Sequence, residues 1–306
     1  MNQGYRYIDT VDTDGEGETL LAFYTSRYTH SSEGEWRGRI EAGRVLVDGE
    51  RVTIDEKLVR GQRLTYEREA WKEPDAPRTF DVLYEDEQII AVDKPSGLPV
   101  LPGGHHLENT LLSAVRERFG GRVPPSPLHR LGRGTSGIVL FARNEPALRS
   151  LSEAFQQRSI TKIYRALVQG TGLPETFTVD DPIGPVPYPP TGELFAVAED
   201  GKPSTSECTV LSADLDEDET LIDVRLITGR SHQIRIHTAA AGHPLVGDPL
   251  YAVGGGPKPL VDGTRPPLPG DTGYFLHARL LKFTHPTSSE KVTVESTPPR
   301  RLQPHY

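Results

Sequence analysis

The sequence predicts an α+β protein in two parts. A small α+β module covers residues 1–75, and a larger domain with a mixed, largely antiparallel sheet and flanking helices covers residues 76–306. Three observations predict this. Alternating apolar runs, from Val45 and Val47 to "TLIDVRL", dominate over a few helical patterns. The pair Asp48-Gly49 is a tight-turn signal between two such runs, and tight hairpins join antiparallel strands. Between the parts, "EAWKEPDAPRTF", residues 69–80, carries two prolines, several charges and no periodicity, the composition of a linker.

In the first part, "ETLLAFYTSRY" places Leu20, Leu21, Tyr24 and Tyr28 at helical spacing. "EWRGRIEAGRVLVDGERV" gives a short helix, a glycine at its end, then the strand of Val45 and Val47. "VRGQRLTYER" closes the module with another strand.

The second part opens with "FDVLYEDEQIIAVDKPSGLPV", two strands around an acidic turn followed by a Pro/Gly loop. "NTLLSAVRERFGG" is a helix with Asn109 as its expected N-cap, Leu111, Val115 and Phe119 as its stripe and Gly120 as its stop. "GIVLFAR" reads as a buried strand, and "NEPALRSLSEAFQQRS" as a helix capped by Asn144 with Leu148, Leu151 and Phe155 inward. "TKIYRALVQG" and "SECTVL" are strands. "TLIDVRLITGRSHQIRIHTAAAGH" gives a strand, a tight turn at Gly229, a helix with Ser231 as candidate cap, and Gly242 as its end. "YFLHARLLKFTHP" and "KVTVEST" are the last strands, and the Gly/Pro-rich "VGGGPKPLVDGTRPPLPGDTG" reads as a mobile loop. No internal repeat is present.

Composition narrows the function. No stretch of the 306 residues has the apolar length of a membrane span, and the start "MNQGYRYIDTVDTDGEGETL" has neither the basic nor the apolar region of a secretory signal. A single cysteine, Cys208, forbids an internal disulfide and points to a reducing cytoplasm. The net charge of −9 weighs against nucleic acid, since phosphate binding needs clustered Lys and Arg, although a local basic face can sit on an acidic protein.

The residues that could carry chemistry read weakly one at a time. His232, His237 and His243 lack metal-ligand spacing: the first two, five apart, leave a helix on different sides, and no acidic ligand is suitably placed. Arg230, between a strand and a helix start, can aim into a cleft or lie on the surface. "HRLGRGTSG", His129 to Gly137, precedes a strand, so it is neither a phosphate-binding loop nor a nucleophile elbow around Ser136. Tyr164 can be a site residue or a half-buried strand tyrosine. A hydrolase built on Ser136 or Cys208 is the least favoured class.

Taken in order, the motifs are specific. From about residue 80 to the end, "AVDKPSGLPV", "HRLGRGTSGIVLFAR", "KIYRALVQG", "GKPSTSECTVL", "LITGRSHQIRIHTAAAGHPLVGDPLY" and "LHARLLKFTHP" resemble the RluA-like branch of the RNA pseudouridine synthases. "RGRIEAGRVLVDGERV" looks like the alpha-L RNA-binding module often joined ahead of that domain. Residues 1–70 hold 10 Lys and Arg against 14 Asp and Glu, so RNA contacts there would come from a one-sided cluster such as Arg27, Arg37, Arg39 and Arg44.

The resemblance implies isomerisation of uridine in ribosomal or transfer RNA: the target base is flipped out, its C–N bond to the sugar is broken, and the base is turned and rejoined through carbon. It implies no cofactor or metal, a partner that is RNA, no membrane, a cytoplasmic monomer, and RNA contacts from His129, Arg130 and Arg133. Arg130 would fill the space of the flipped base, Tyr164 would stack on the uracil, and Arg230 would pair with the catalytic aspartate. That aspartate follows "HRL" in the family; here the position is Gly132. A carboxylate acting as nucleophile or base on the ribose needs a side chain, and glycine has none. The alternative reading is therefore a non-catalytic RNA-binding relative with the same fold. Retention of His129, Arg130, Tyr164 and Arg230 favours the enzyme.

Overall fold

A computed structural model describes residues 1–28 and 31–304. The chain forms two compact units, Met1–Glu73 and Pro74–Tyr306.

The first unit contains β1 (Tyr5–Thr10), α1 (Leu20–Arg27), α2 (Glu33–Glu41), β2 (Val45–Val47), β3 (Glu50–Arg51) and β4 (Arg63–Arg68). Its sheet has the order β1-β4-β2-β3, antiparallel throughout. Thr19 caps α1, and Ser32 with Glu35 forms a capping box on α2, which satisfies amide groups that a helix start leaves open. Phe23, Tyr24, Trp36, Ile40, Val45 and Leu64 make its core. Strand β1 was not expected from the sequence, because its side chains are mostly exposed and carry no buried alternation.

The second unit begins with β5 (Asp81–Glu85), β6 (Ile89–Lys94), α3 (Leu111–Phe119), β7 (Ser126–Pro127), β8 (Ser136–Ala142), α4 (Glu145–Gln156) and β9 (Thr161–Gln169). It continues with β10 (Thr176–Val179), β11 (Ile183–Tyr188), β12 (Gly192–Val197), β13 (Ser206–Asp214), β14 (Glu219–Leu226), α5 (Gln233–Ala240), β15 (Leu276–Thr284) and β16 (Lys291–Glu295). A 10-stranded sheet runs β10-β13-β14-β9-β15-β8-β6-β5, with β16 on β15 and β7 on β8. Every ladder in it is antiparallel except β15 with β8, so the sheet is mixed and largely antiparallel, as the sequence predicts.

Successive strand side chains point to opposite faces, and β6 shows what this does. Ile90 and Val92 pack with Leu111 and Val115 of α3 and Ile234 of α5. Ile89 and Ala91 pack on the other face with Leu151 of α4. Both faces are covered, which is why β6 and β8 read as continuous apolar runs. Tyr164 belongs to the face under α3 and α5.

Gly137 is required where β8 meets β15. Its φ is +107°, and an added Cβ would lie 2.3 Å from the Ala278 carbonyl oxygen. The parallel ladder pairs Ala278 with Gly137 at that point.

Two caps differ from expectation. Helix α3 starts at Leu111, so Thr110 is the N-cap and accepts from the Ser113 amide, while Asn109, one residue earlier, donates to the Pro74 carbonyl. Helix α5 has no side-chain cap at its N-cap residue His232, which has φ 56°, and Ser231 is exposed. Gln233 shapes that turn instead: its Oε1 accepts from the Arg230 amide at 3.0 Å and from the Thr228 hydroxyl at 2.7 Å. The hairpin of β11 and β12 escaped the sequence reading because Pro185 and Pro187 disguise β11; they are tolerated in a two-stranded ladder.

Candidate functional site

The loop from His129 to Thr135 is held from below by the "DKPSG" segment. Lys94, fully buried, donates to the carbonyls of Pro95, Leu98 and Arg133 at 2.9, 2.7 and 3.3 Å. Ser96 donates to the Gly134 carbonyl at 2.7 Å, and the Gly97 amide to that of Arg133 at 2.8 Å. Burial draws the Lys94 ammonium down to about 7, opposed by the nearby Asp93. The three carbonyl acceptors match its three donors.

Above this loop lies a cavity of about 760 Å³. The sequence-predicted residues Arg130, Gly132, Arg133, Tyr164 and Arg230 all line it. Tyr164 comes from the central strand β9, and burial pushes its hydroxyl up to about 12, so it is a neutral, flat apolar ring. Arg130 is exposed at the wall. Arg230 makes one long contact, from Nη2 to the Pro203 carbonyl at 3.4 Å, and its Nε is buried with no hydrogen-bond partner. No carboxylate pairs with Arg230 in the salt bridges of the described residues.

Gly132 sits open to the cavity, and a Cβ built there would meet the Tyr274 hydroxyl at 3.0 Å and the Thr135 hydroxyl at 3.5 Å. Tyr274 therefore crowds the space in which a longer side chain would start. Its ring is covered by the Arg235 guanidinium, 4.3 Å from the centroid. Arg235 is itself buried and bidentate with Asp248 at 2.6 and 2.8 Å, an interior ion pair under the cavity wall.

His129 does not join the others. It is absent from the cavity lining, its ring packs 5.0 Å from Phe155, and its Nε2 accepts from the Leu140 amide at 3.1 Å. Burial, with Lys162 nearby, lowers it to about 4, so it is a neutral ring that supports the loop from the opposite side.

The three histidines of the "GRSHQIRIHTAAAGH" stretch are hydrogen-bonded within the fold, and His232 also lines the cavity. His232 meets the Tyr251 hydroxyl at 2.8 Å, His237 bridges Ser206 and the Asp181 carbonyl, and His243 donates to the Gln169 carbonyl. Cys208 is buried in β13 and its thiol is pushed up to about 12, which leaves it inert. Ser136 meets His277 Nδ1 at 2.9 Å, with both buried. Among the described residues no group of three or more His, Cys, Asp or Glu is arranged to hold a metal. No helix there is long and apolar enough to cross a membrane.

In the first unit, each of the four expected RNA-binding arginines has a carboxylate partner. Arg27 is bidentate with Asp12, Arg37 pairs with Glu33 at 2.8 Å, Arg39 with Glu35 at 3.9 Å, and Arg44 with Glu69. Arg37 and Arg39 leave α2 about 200° apart, so a single face does not hold both.

Among the cavity residues that the sequence did not single out are Arg265, Asp271 and Tyr274. All three come from the Gly/Pro-rich segment or its end. That segment is irregular but anchored: Tyr188 donates to the Pro267 carbonyl at 2.6 Å, and Arg133 Nε to that of Gly270 at 2.8 Å. No periodicity could have flagged it, since tertiary hydrogen bonds set its path.

Residues 88–240 match the family described as RNA pseudouridylate synthase. An uncharacterized RNA pseudouridine synthase of Synechocystis sp. is 41% identical over 93% of this chain and 96% of its own length. The chain belongs to the RNA pseudouridylate synthase family. It is also similar to the ribosomal large subunit pseudouridine synthase D of Vibrio parahaemolyticus, at 34% identity over 98% of this chain and 93% of that one. Among solved structures, human RNA pseudouridylate synthase domain containing 1 superposes with a TM-score of 0.57 at 28% identity, over 74% of this chain and 86% of that chain. The second unit thus has the pseudouridine synthase fold, and its relatives are pseudouridine synthases by name.

Proposed function

We propose that this chain isomerises uridine to pseudouridine in structured RNA, ribosomal or transfer, as a cytoplasmic monomer. One observation carries the reading: Arg130, Tyr164 and Arg230, from three separate parts of the sequence, meet in one cavity with Gly132. The ribosomal target draws on the name of the Vibrio relative.

The chemistry follows from the walls. A uridine leaves its stack at a cost of a few kcal/mol and enters the cavity. Arg130, exposed at the wall, takes the space it vacates and contacts the backbone. The Tyr164 ring stacks on the uracil, and a ring that stays neutral keeps its face free of charge. Arg230, with an unspent Nε, binds the phosphate or the negative charge that develops on the base as the C1′–N1 bond breaks. The ring then turns and C5 bonds to C1′, so that substrate and product have the same composition and no cofactor is consumed. Arg27, Arg37, Arg39 and Arg44 serve RNA only by exchanging their carboxylate partners for phosphates, and Arg133 supports the cavity while its Nε holds Gly270.

The second reading, an RNA-binding relative without catalysis, is favoured by Gly132 and by the absence, among the described residues, of a carboxylate paired with Arg230. Incubating the purified full chain with total RNA from cells that lack it, and mapping pseudouridines by chemical labelling, decides between them. Conversion of at least one uridine supports the enzyme; tight RNA binding with no conversion supports the relative.

A further inference from the structure

The cavity is lined by five arginines, Arg130, Arg133, Arg230, Arg235 and Arg265, and among the described lining residues by one carboxylate, Asp271. If the chain is an isomerase, as proposed above, the ribose needs a carboxylate that Gly132 does not supply. We propose that Asp271 is the carboxylate that acts on the ribose of the target uridine, in place of the side chain absent at Gly132.

The placement of Asp271 supports this. The segment that carries it is tied to the Gly132 loop on both sides. Before it, the Gly270 carbonyl accepts from Arg133 Nε at 2.8 Å, and Arg133 is the neighbour of Gly132 in sequence. After it, the Tyr274 hydroxyl lies 3.0 Å from where a Cβ of Gly132 would stand. The carboxylate is fixed by Arg265, at 2.8 and 2.9 Å, and by the Leu268 amide at 2.8 Å. Those bonds take both sites of Oδ2 but one of Oδ1, which leaves a lone pair on Oδ1 for a substrate. The hydrogen bonds from Arg265 hold the carboxyl below its ordinary range, so it is ionised at neutral pH, the form that acts as nucleophile.

The step balances. Oδ1 of Asp271 bonds to C1′ as the C1′–N1 bond breaks with its electron pair going to the uracil. The ring turns in the cavity, C5 attacks C1′, and the carboxylate leaves with its pair. C5 loses its proton to water and N1 takes one back. Nothing is oxidised or reduced, and Asp271 is regenerated.

The competing role for Asp271 is to shape its loop with Arg265. Four full-length proteins separate the two: native, Asp271→Asn, Arg265→Gln, and Asp271→Asn combined with Gly132→Asp. Each is assayed on total RNA from cells lacking the chain, for conversion and for RNA affinity. The expected result is a fall in conversion of about a hundredfold or more for Asp271→Asn. RNA affinity stays within a few-fold, Arg265→Gln loses clearly less conversion than Asp271→Asn, and the double variant regains activity. An Asp271→Asn protein that converts as well as native overturns the assignment and leaves the isomerase reading intact. Equal losses for Arg265→Gln and Asp271→Asn overturn it in favour of loop shaping. A native chain that converts nothing overturns the isomerase reading and this assignment with it.

Discussion

Tyr164 lends its face, not its hydroxyl, in this account, and that separates two substitutions. Tyr164→Phe keeps the ring and is expected to retain conversion within a few-fold. Tyr164→Ala removes the stack, worth about 1–3 kcal/mol per base, and is expected to lose roughly ten- to a hundredfold. Steady-state assays on both variants check this. His129 carries a different prediction. Folded, it sits at about 4 against an ordinary 6.5, so between these values the unfolded chain binds more protons than the folded one. Stability therefore declines as pH falls from about 6.5 toward 4, by up to about 3 kcal/mol from this residue. His129→Gln is expected to flatten that part of the stability curve while leaving RNA affinity unchanged, because the ring faces Phe155 and not the cavity. Thermal melts across the pH range read the first, and titration with RNA the second. Asp12, lowered to about 2 by its hydrogen bond from Arg27, titrates below this window. Arg130, Tyr164 and Arg230, which the fold brings to one cavity, could be singled out because each stands in a motif with fixed spacing. His129 stands in the same motif but lies outside the cavity lining, and the motif gives no sign of which neighbours face the core.

At the scale of elements, the site depends on how strand β8 meets β15. The backbone approach at Gly137 leaves no room for a side chain, and the residue has φ +107°. Gly137→Ala is expected to cost about 3 kcal/mol or more by forcing the two strands apart, and to reduce conversion through the loop that β8 anchors. Denaturant unfolding measures the first; a variant as stable as native would show that the junction is not close-packed. Most of the sheet was legible because alternation and continuous apolar runs report burial directly. The elements that escaped are β1, with its exposed tyrosines, and the proline-bearing β11. Asp271 and Tyr274 escaped for a stronger reason: irregular backbone has no period, and its course follows from contacts such as Arg133 with Gly270. The caps at Thr110 and His232 differ from expectation by one residue each, the usual margin of a helix end.

For the whole molecule, the net charge of −9 and the five cavity arginines act at different ranges. On the proposed function, the net negative charge is expected to slow approach to RNA at low salt, while RNA in the cavity would meet the arginines at contact distance, where screening is weaker. If Arg130 touches the RNA backbone, Arg130→Ala weakens binding and reduces the slope of log affinity against log salt by about one. Titrations at several ionic strengths check this; an unchanged slope would remove Arg130 from the phosphate contacts. Fold and family were legible because six motifs lie in order along the second unit, whereas the competence of the chain was not, because it turns on one missing side chain and a carboxylate in an irregular segment. On the proposed function, the chain forms pseudouridine with glycine at position 132. This is tested most directly by mapping pseudouridine in RNA from cells that carry the native chain, lack it, or carry Gly132→Asp. The expected result is a site that vanishes on deletion and is present with the native chain. A site that appears only with Gly132→Asp, or none that depends on the gene, would contradict it.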